Sequence, residues 1–166
     1  MHTRSIEMIN VLDVKYKEYS HWKELSNQDL LIINKAKETR NFAYANHSKF
    51  KVVAALLLDN NKILTENNQE IGAYPSSSIC AERTIIFYTV TNYLCAKIIK
   101  MVVVAGKHNP ISIPLSTCKA RRQILIKYKC RLKMPIEFLF TGIKGKVIKF
   151  SQCANFLPFS FYESTL

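Results

Sequence analysis

The run "KIIKMVVVAG" at residues 97–106 constrains the fold most. Isoleucine and valine carry two heavy atoms on Cβ, which stiffens χ1 and suits a pleated surface, so the run predicts a strand at the centre of a sheet. A second run, "FKVVAALLLD" at 50–59, predicts a buried strand. Asn60 and Asn61 then turn it into a hairpin with "KILTENN" at 62–68. "IEFLFTG" (136–142) and "KVIKFS" (146–151) predict two more strands, joined through Gly142 and Gly145. Helical periodicity marks three other segments. "SNQDLLIINKAKETRNFAYA" (26–45) opens on Ser26 as N-cap, with Asp29 three residues on and Leu30, Ile33 and Ala36 or Lys37 along one face. Residues 80–94 and "CKARRQILIKYKCRL" (118–132) follow, the latter with Ile124, Leu125 and Tyr128 facing inward. The order α-β-β-α-β-α-β-β implies a two- or three-layer α/β arrangement with two helices crossing one face of the sheet.

At 166 residues, with 48% hydrophobic and 11% aromatic residues, the chain is sized and composed for one folded domain. Residues 1–25 are a lead-in of low periodicity and 26–166 the domain, with no repeat or linker between them. The longest apolar runs are strand-sized, short of the roughly 20 residues of a membrane helix, and the N-terminus shows no export signal. A cytoplasmic location is the expectation. Five cysteines, at 80, 95, 118, 130 and 153, are an odd number, which favours thiols or metal ligands over a disulfide framework. The net charge of +12 invites a nucleic-acid reading, but the lysines are scattered without a basic block, a pattern that general compositional drift explains at least as well as a binding groove does.

Cys80 and Cys118 both fall at predicted helix starts, immediately after loops. A helix N-terminus favours the thiolate, the form that binds metal. Glu82, two residues beyond Cys80, could take a proton from a metal-activated water and return it to a leaving group. Taken alone, a cysteine and a first-turn glutamate are more often ordinary helix-start residues than a catalytic pair.

"CAER" at 80–83 resembles the zinc-binding and catalytic motif of the cytidine deaminases that hydrolyse free nucleosides. "AYANHSKFKVVAALL" (43–57), "NQEIGAYP" (68–75), "RRQILIKY" (121–128) and "NFLPFSF" (155–161) are similar to other stretches of the family, in the family's order. The resemblance covers roughly residues 26–162. It implies a three-layer α-β-α fold around a mixed five-stranded sheet, and deamination of cytidine or deoxycytidine in pyrimidine salvage through a zinc-bound water. Residue by residue, it implies Cys80 and Cys118 as zinc ligands and Glu82 as proton shuttle. Arg83 would balance the thiolate charge, Asn68 and Glu70 would bond the ribose hydroxyls, and Phe50 would pack on the pyrimidine beside Ala81. Phe161 would reach a neighbouring subunit's pocket in a homotetramer.

The second half of the zinc motif departs from the family. With Arg122-Gln123 aligned on the family's Arg-Gln, Arg121 stands at the third-ligand position, and Thr117 and Lys119 replace Pro and Gly. A register placing Pro114 on the family's proline also lacks one ligand. Arginine offers no lone pair at any accessible pH. Cys130 and Cys95 lie too far along their helices to substitute, which leaves His47, at the family's tyrosine position, as the one candidate. Val53 replaces the family's small glycine, Asn46 and His47 its Pro-Tyr pair, and Ile71 the asparagine after Glu70. Two readings follow: a cytidine deaminase, or a degenerate member that has lost zinc and keeps fold, oligomer and nucleoside binding.

Overall fold

The computed structural model describes residues 13–72, 77–107, 114–132, 134–152 and 155, with the side chains of 119–121 and 130–132 outside that description. Its elements are β1 (Lys17–Tyr19), α1 (Asn27–Thr39), β2 (Lys51–Leu58), β3 (Ile63–Asn67), α2 (Ala81–Asn92), β4 (Ile98–Gly106), α3 (Lys119–Leu132), β5 (Glu137–Thr141) and β6 (Val147–Phe150). They form one mixed sheet in the order β1-β6-β5-β4-β2-β3. The run at 97–106 is a central strand, antiparallel to β2 and parallel to β5.

Side chains along β2 alternate between two cores, as the two-residue period of a strand demands. Ala54, Leu56 and Leu58 face α2 and α3, packing with Ile85, Ile86, Leu125, Ile126, Met101, Val103, Phe138 and Phe140. Val53, Ala55 and Leu57 face α1, packing with Ile32, Ile33, Ala36, Val102, Val104 and Leu139. Helices therefore cover both faces, and the architecture is the expected three-layer α-β-α.

The sheet has six strands where five were expected. The sixth, β1, comes from the lead-in and pairs with β6 through Lys17↔Lys149, Glu18↔Ile148 and Tyr19↔Val147. Three residues are too short for an alternation signal, and this strand is held from outside itself. Tyr16 packs on Phe150 at 5.8 Å between ring centroids, and Trp22 Nε1 donates to Thr141 Oγ1 at 3.2 Å.

Ser26 caps α1 as expected, accepting from Asp29 N–H at 3.2 Å. The inward face of α1 is Asp29, Ile32, Ile33 and Ala36, with Leu30 only half buried. Asp29 thus does more than sit in a first turn. Its carboxylate, 1% exposed, meets the ammonium of Lys100, 3% exposed, in the middle of β4. It also takes Lys149 at 2.9 Å, and both lysines reach Glu137, at 3.0 Å and 3.3 Å. A buried and a partly exposed carboxylate facing two ammoniums leave no uncompensated charge. Burial alone raises Asp29's pKa, but the hydrogen bonds from Lys100 and then Lys149 outweigh it and hold the carboxyl below its ordinary value.

Removing Asp29 takes away the buried counter-charge of Lys100 and leaves it only the partly exposed Glu137. Asp29→Ala is expected to lower unfolding stability by about 3–5 kcal/mol, read from urea denaturation. Because this carboxyl titrates lower in the folded chain than in the unfolded one, its contribution is complete above the unfolded value near ~3.9 and is lost as pH falls through the folded value. The urea midpoint is therefore expected to drop more steeply below about pH 4 in the wild type than in Asp29→Asn. Equal slopes would show that Asp29 is not the group responsible.

Candidate functional site

The register brings one end of the sheet together. Lys51 at the start of β2 pairs with Gly106 at the end of β4, and Val53 pairs with Asn67 at the end of β3. Phe50 and Asn68, one residue beyond these strands, therefore emerge side by side. Beyond Asn68 the chain stays tied to its neighbours, through isolated bridges Tyr44↔Gln69 and Gln69↔Ile79. The second bridge delivers the chain to Cys80, the N-cap of α2.

A cavity of about 410 Å³ opens there, lined by Ser48, Phe50, Val52, Asn68, Glu70, Ser78, Ile79, Cys80 and Glu82. Five residues singled out from the sequence thus line one cavity: Phe50, Asn68, Glu70, Cys80 and Glu82. Ser48, Val52, Ser78 and Ile79 were not singled out. Ser48 lies inside the quoted "AYANHSKF" stretch, but nothing in its type or spacing distinguishes it from a loop serine.

Cys80 is half buried, and its side chain does not cap α2; its carbonyl accepts from Thr84 N–H and Thr84 Oγ1, both at 3.0 Å. Glu82 is 2% exposed on the inward face of the first turn. Ala81 is fully buried, in the core formed with Ile85 and Ile86. Arg83 follows on the first turn of α2. It is exposed, with its guanidinium carbon 5.6 Å from the Phe87 ring centroid.

Asn68 and Glu70 are engaged with the chain itself. Asn68 Oδ1 accepts from Val52 N–H at 2.9 Å and Nδ2 donates to the Phe50 carbonyl at 3.0 Å. Glu70 Oε2 accepts from the N–H groups of His47 (2.9 Å) and Ser48 (3.1 Å), and Oε1 accepts from Ser48 Oγ (2.5 Å). The Ser48 hydroxyl bond is the main cause that holds Glu70's pKa below its ordinary value.

Cys118 ends the loop before α3; it is exposed and does not line the cavity. Arg122 fixes this loop, donating through Nε to the Thr117 carbonyl at 2.9 Å and through Nη2 to Ser116 Oγ at 2.7 Å. Beside Cys118, Thr117 Oγ1 is buried without a hydrogen-bond partner among the described residues. His47 is exposed and lies outside the cavity lining. The candidate Phe161 lies outside the described residues.

Thiol side chains are a donor type that zinc takes. Cys80 is the N-cap of α2 and Cys118 directly precedes α3. Among the described residues, however, no three His, Cys, Asp or Glu side chains are grouped to hold a metal ion. A catalytic zinc ordinarily takes three protein ligands and leaves one position open.

Known proteins resemble this chain over most of its length. The family model "Cytidine and deoxycytidylate deaminase zinc-binding region" matches residues 26–134. A cytidine deaminase of Sporosarcina psychrophila is 35% identical over 135 residues, 81% of this chain and 92% of that protein. One from Mycoplasma pneumoniae is 36% identical over 86 residues, 52% of this chain and 63% of that protein. The crystal structure of cytidine deaminase from Burkholderia pseudomallei superposes with a TM-score of 0.67 at 31% identity, covering 82% of this chain and all of that one. The Mycobacterium tuberculosis enzyme, at 20% identity and a TM-score of 0.61, shares the fold.

The missing donor generates a measurable expectation. Arg121→Cys is expected to raise zinc affinity at least about tenfold, measured by competition with a chromogenic chelator, since it replaces a fixed positive charge by a thiolate. Unchanged affinity would show that Arg121 does not occupy the ligand position.

Proposed function

This chain belongs to the cytidine deaminase family, and on that premise we propose that it hydrolyses cytidine or deoxycytidine to uridine or deoxyuridine with release of ammonia. The observation that carries the reading is the single cavity shared by Phe50, Asn68, Glu70, Cys80 and Glu82. Its volume of about 410 Å³ lies within the range of small-ligand sites. Phe50 supplies an apolar ring for the pyrimidine, and Glu70 with Asn68 supplies polar groups at the rim for the sugar. Glu82 stands at the buried end, where a proton must be moved.

The reaction forms a bond from water oxygen to C4 of the pyrimidine and breaks the C4–N bond to the exocyclic amine. Glu82 is a carboxylate held out of bulk water. In the proposed mechanism it moves both protons of the attacking water in turn, one to the ring N3 and one to the departing exocyclic amine, so that C4 keeps its carbonyl oxygen and ammonia departs neutral. Cys80 and Cys118 are the residues that would hold zinc, and zinc when bound supplies the positive charge that makes a water nucleophilic near neutral pH. Two thiolates hold the metal less tightly than a three-ligand set. Homotetramer formation, a contribution of Phe161 across a subunit boundary, a cytoplasmic location and a place in pyrimidine salvage complete the proposal. Among the described residues no helix is long and apolar enough to cross a membrane.

The alternative, a member that keeps only fold and nucleoside binding, is disfavoured. The cavity retains a buried carboxylate beside a helix-start cysteine, and the similarity to cytidine deaminases runs through both.

Glu82→Gln is expected to reduce cytidine turnover by about 10²–10⁴-fold, followed as loss of the cytidine absorbance band, while uridine still binds. A variant as active as wild type would remove Glu82 from the chemistry. A wild type without turnover, after zinc has been added, would favour the degenerate reading.

A further inference from the structure

Lys49 has φ 57°, one of two positive-φ non-glycine residues among those described. A side chain in this left-handed region costs on the order of 1–2 kcal/mol and persists only where the surroundings impose it. Here the imposed geometry lies between two cavity residues, Ser48 and Phe50. Lys49 N–H closes the turn on the Ala45 carbonyl at 2.9 Å. The strap 44–50 is also sewn to the 68–70 segment, by Tyr44 N–H on the Asn68 carbonyl (3.1 Å) and Glu70 N–H on the Tyr44 carbonyl (2.7 Å).

The Ser48 hydroxyl is used twice. It donates to Glu70 Oε1 at 2.5 Å and accepts from Phe50 N–H at 3.0 Å. A carboxylate offers roughly four acceptor positions. Oε2 of Glu70 has both of its own filled by the His47 and Ser48 N–H groups, and Oε1 has one filled by the Ser48 hydroxyl. One acceptor position remains, on the oxygen that Ser48 orients. Phe50 is held at both ends of its peptide groups, N–H on Ser48 and carbonyl on Asn68.

We propose that Ser48 is a specificity-determining positioning residue of the nucleoside site: its hydroxyl aims the last acceptor of Glu70 at one sugar hydroxyl while fixing the backbone beneath the base-packing ring of Phe50. This inference rests on the nucleoside reading of the cavity. Sugar recognition then depends on the strap as well as on the carboxylate. Without the Ser48 hydroxyl, Oε1 loses its fixed direction and accepts from water in place of the ligand, and the ligand's sugar hydroxyl contributes little.

Binding tests this without relying on turnover. Dissociation constants for uridine and for 2′,3′-dideoxyuridine are measured by calorimetry on the wild type, Ser48→Ala and Ser48→Thr, each checked for an unchanged melting temperature. The wild type is expected to prefer uridine by about tenfold or more, because a site built to bond a hydroxyl rejects the analogue that lacks it. Ser48→Ala is expected to lose most of that preference, with dideoxyuridine affinity changed by less than about twofold, and Ser48→Thr to restore it. If Ser48→Ala weakens both ligands by the same factor, the hydroxyl is only a structural tie and the proposal falls. If the wild type binds neither ligand, the nucleoside reading itself falls, and the two failures are told apart by that control.

Discussion

The parallel ladder between β4 and β5 is the constraint on which the rest of the molecule turns. Val102↔Leu139 and Val103↔Phe140 are paired in the same direction, so the chain must return across the sheet between them. α3 makes that crossing on the face already covered by α2, burying Leu125 and Ile126 with Ile85 and Ile86. The antiparallel pairing of β2 with both β3 and β4 then places the start of β2, the end of β3 and the end of β4 at one edge. Phe50, Asn68 and the segment leading to Cys118 leave from that edge. The cavity lies there because the topology leaves the strand ends, and the starts of the two helices, nowhere else to go.

The opposite face carries a different kind of constraint. Lys100 lies between Ile99 and Met101 in the largely apolar β4 and is 3% exposed, because Asp29 and Glu137 receive its charge. An apolar pair would fill the same space at similar or better stability, so the cluster is weakly explained as a source of stability alone. It does fix register. A one-residue slip of β4 would carry Lys100 to the α2/α3 side, away from both carboxylates, and turn Val102 and Val104 out of their core. The cluster ties α1, β4, β5 and β6 to a single alignment, and the strand ends that build the cavity inherit it.

These features show what a single chain discloses. The strands at 51–58 and 98–106 and the helices at 27–39, 81–92 and 119–132 were legible because their period is written in residue type. Phe50, Asn68, Glu70, Cys80 and Glu82 were legible as members of spaced motifs, and the cavity gathers them. β1 was not, since its three residues are held by a partner strand 128 or more positions away and by aromatic contacts. Nor was the burial of Lys100 and Asp29, since a lysine in a strand and an aspartate in a first turn each have a solvated reading, and only the register reveals that they meet. Nor was the contact of Arg83 with Phe87, which depends on where the helix directs the side chain.

The two halves of the site are unequal in how far they are prepared. On the nucleoside side, Ser48, Asn68 and Glu70 are already hydrogen-bonded into one strap, so little ordering is left for a ligand to bring about. On the metal side, Cys80 and Cys118 start separate helices, α2 and α3, and among the described residues no third His, Cys, Asp or Glu is grouped with them. A thiolate pair is competent to attract a dication, but the third ligand is what limits its exchange with solvent. Under the proposed reading, substrate and metal would be held by different elements, β2 with the 44–50 strap for the first and the starts of α2 and α3 for the second. Changes in one can accumulate without immediate loss of the other.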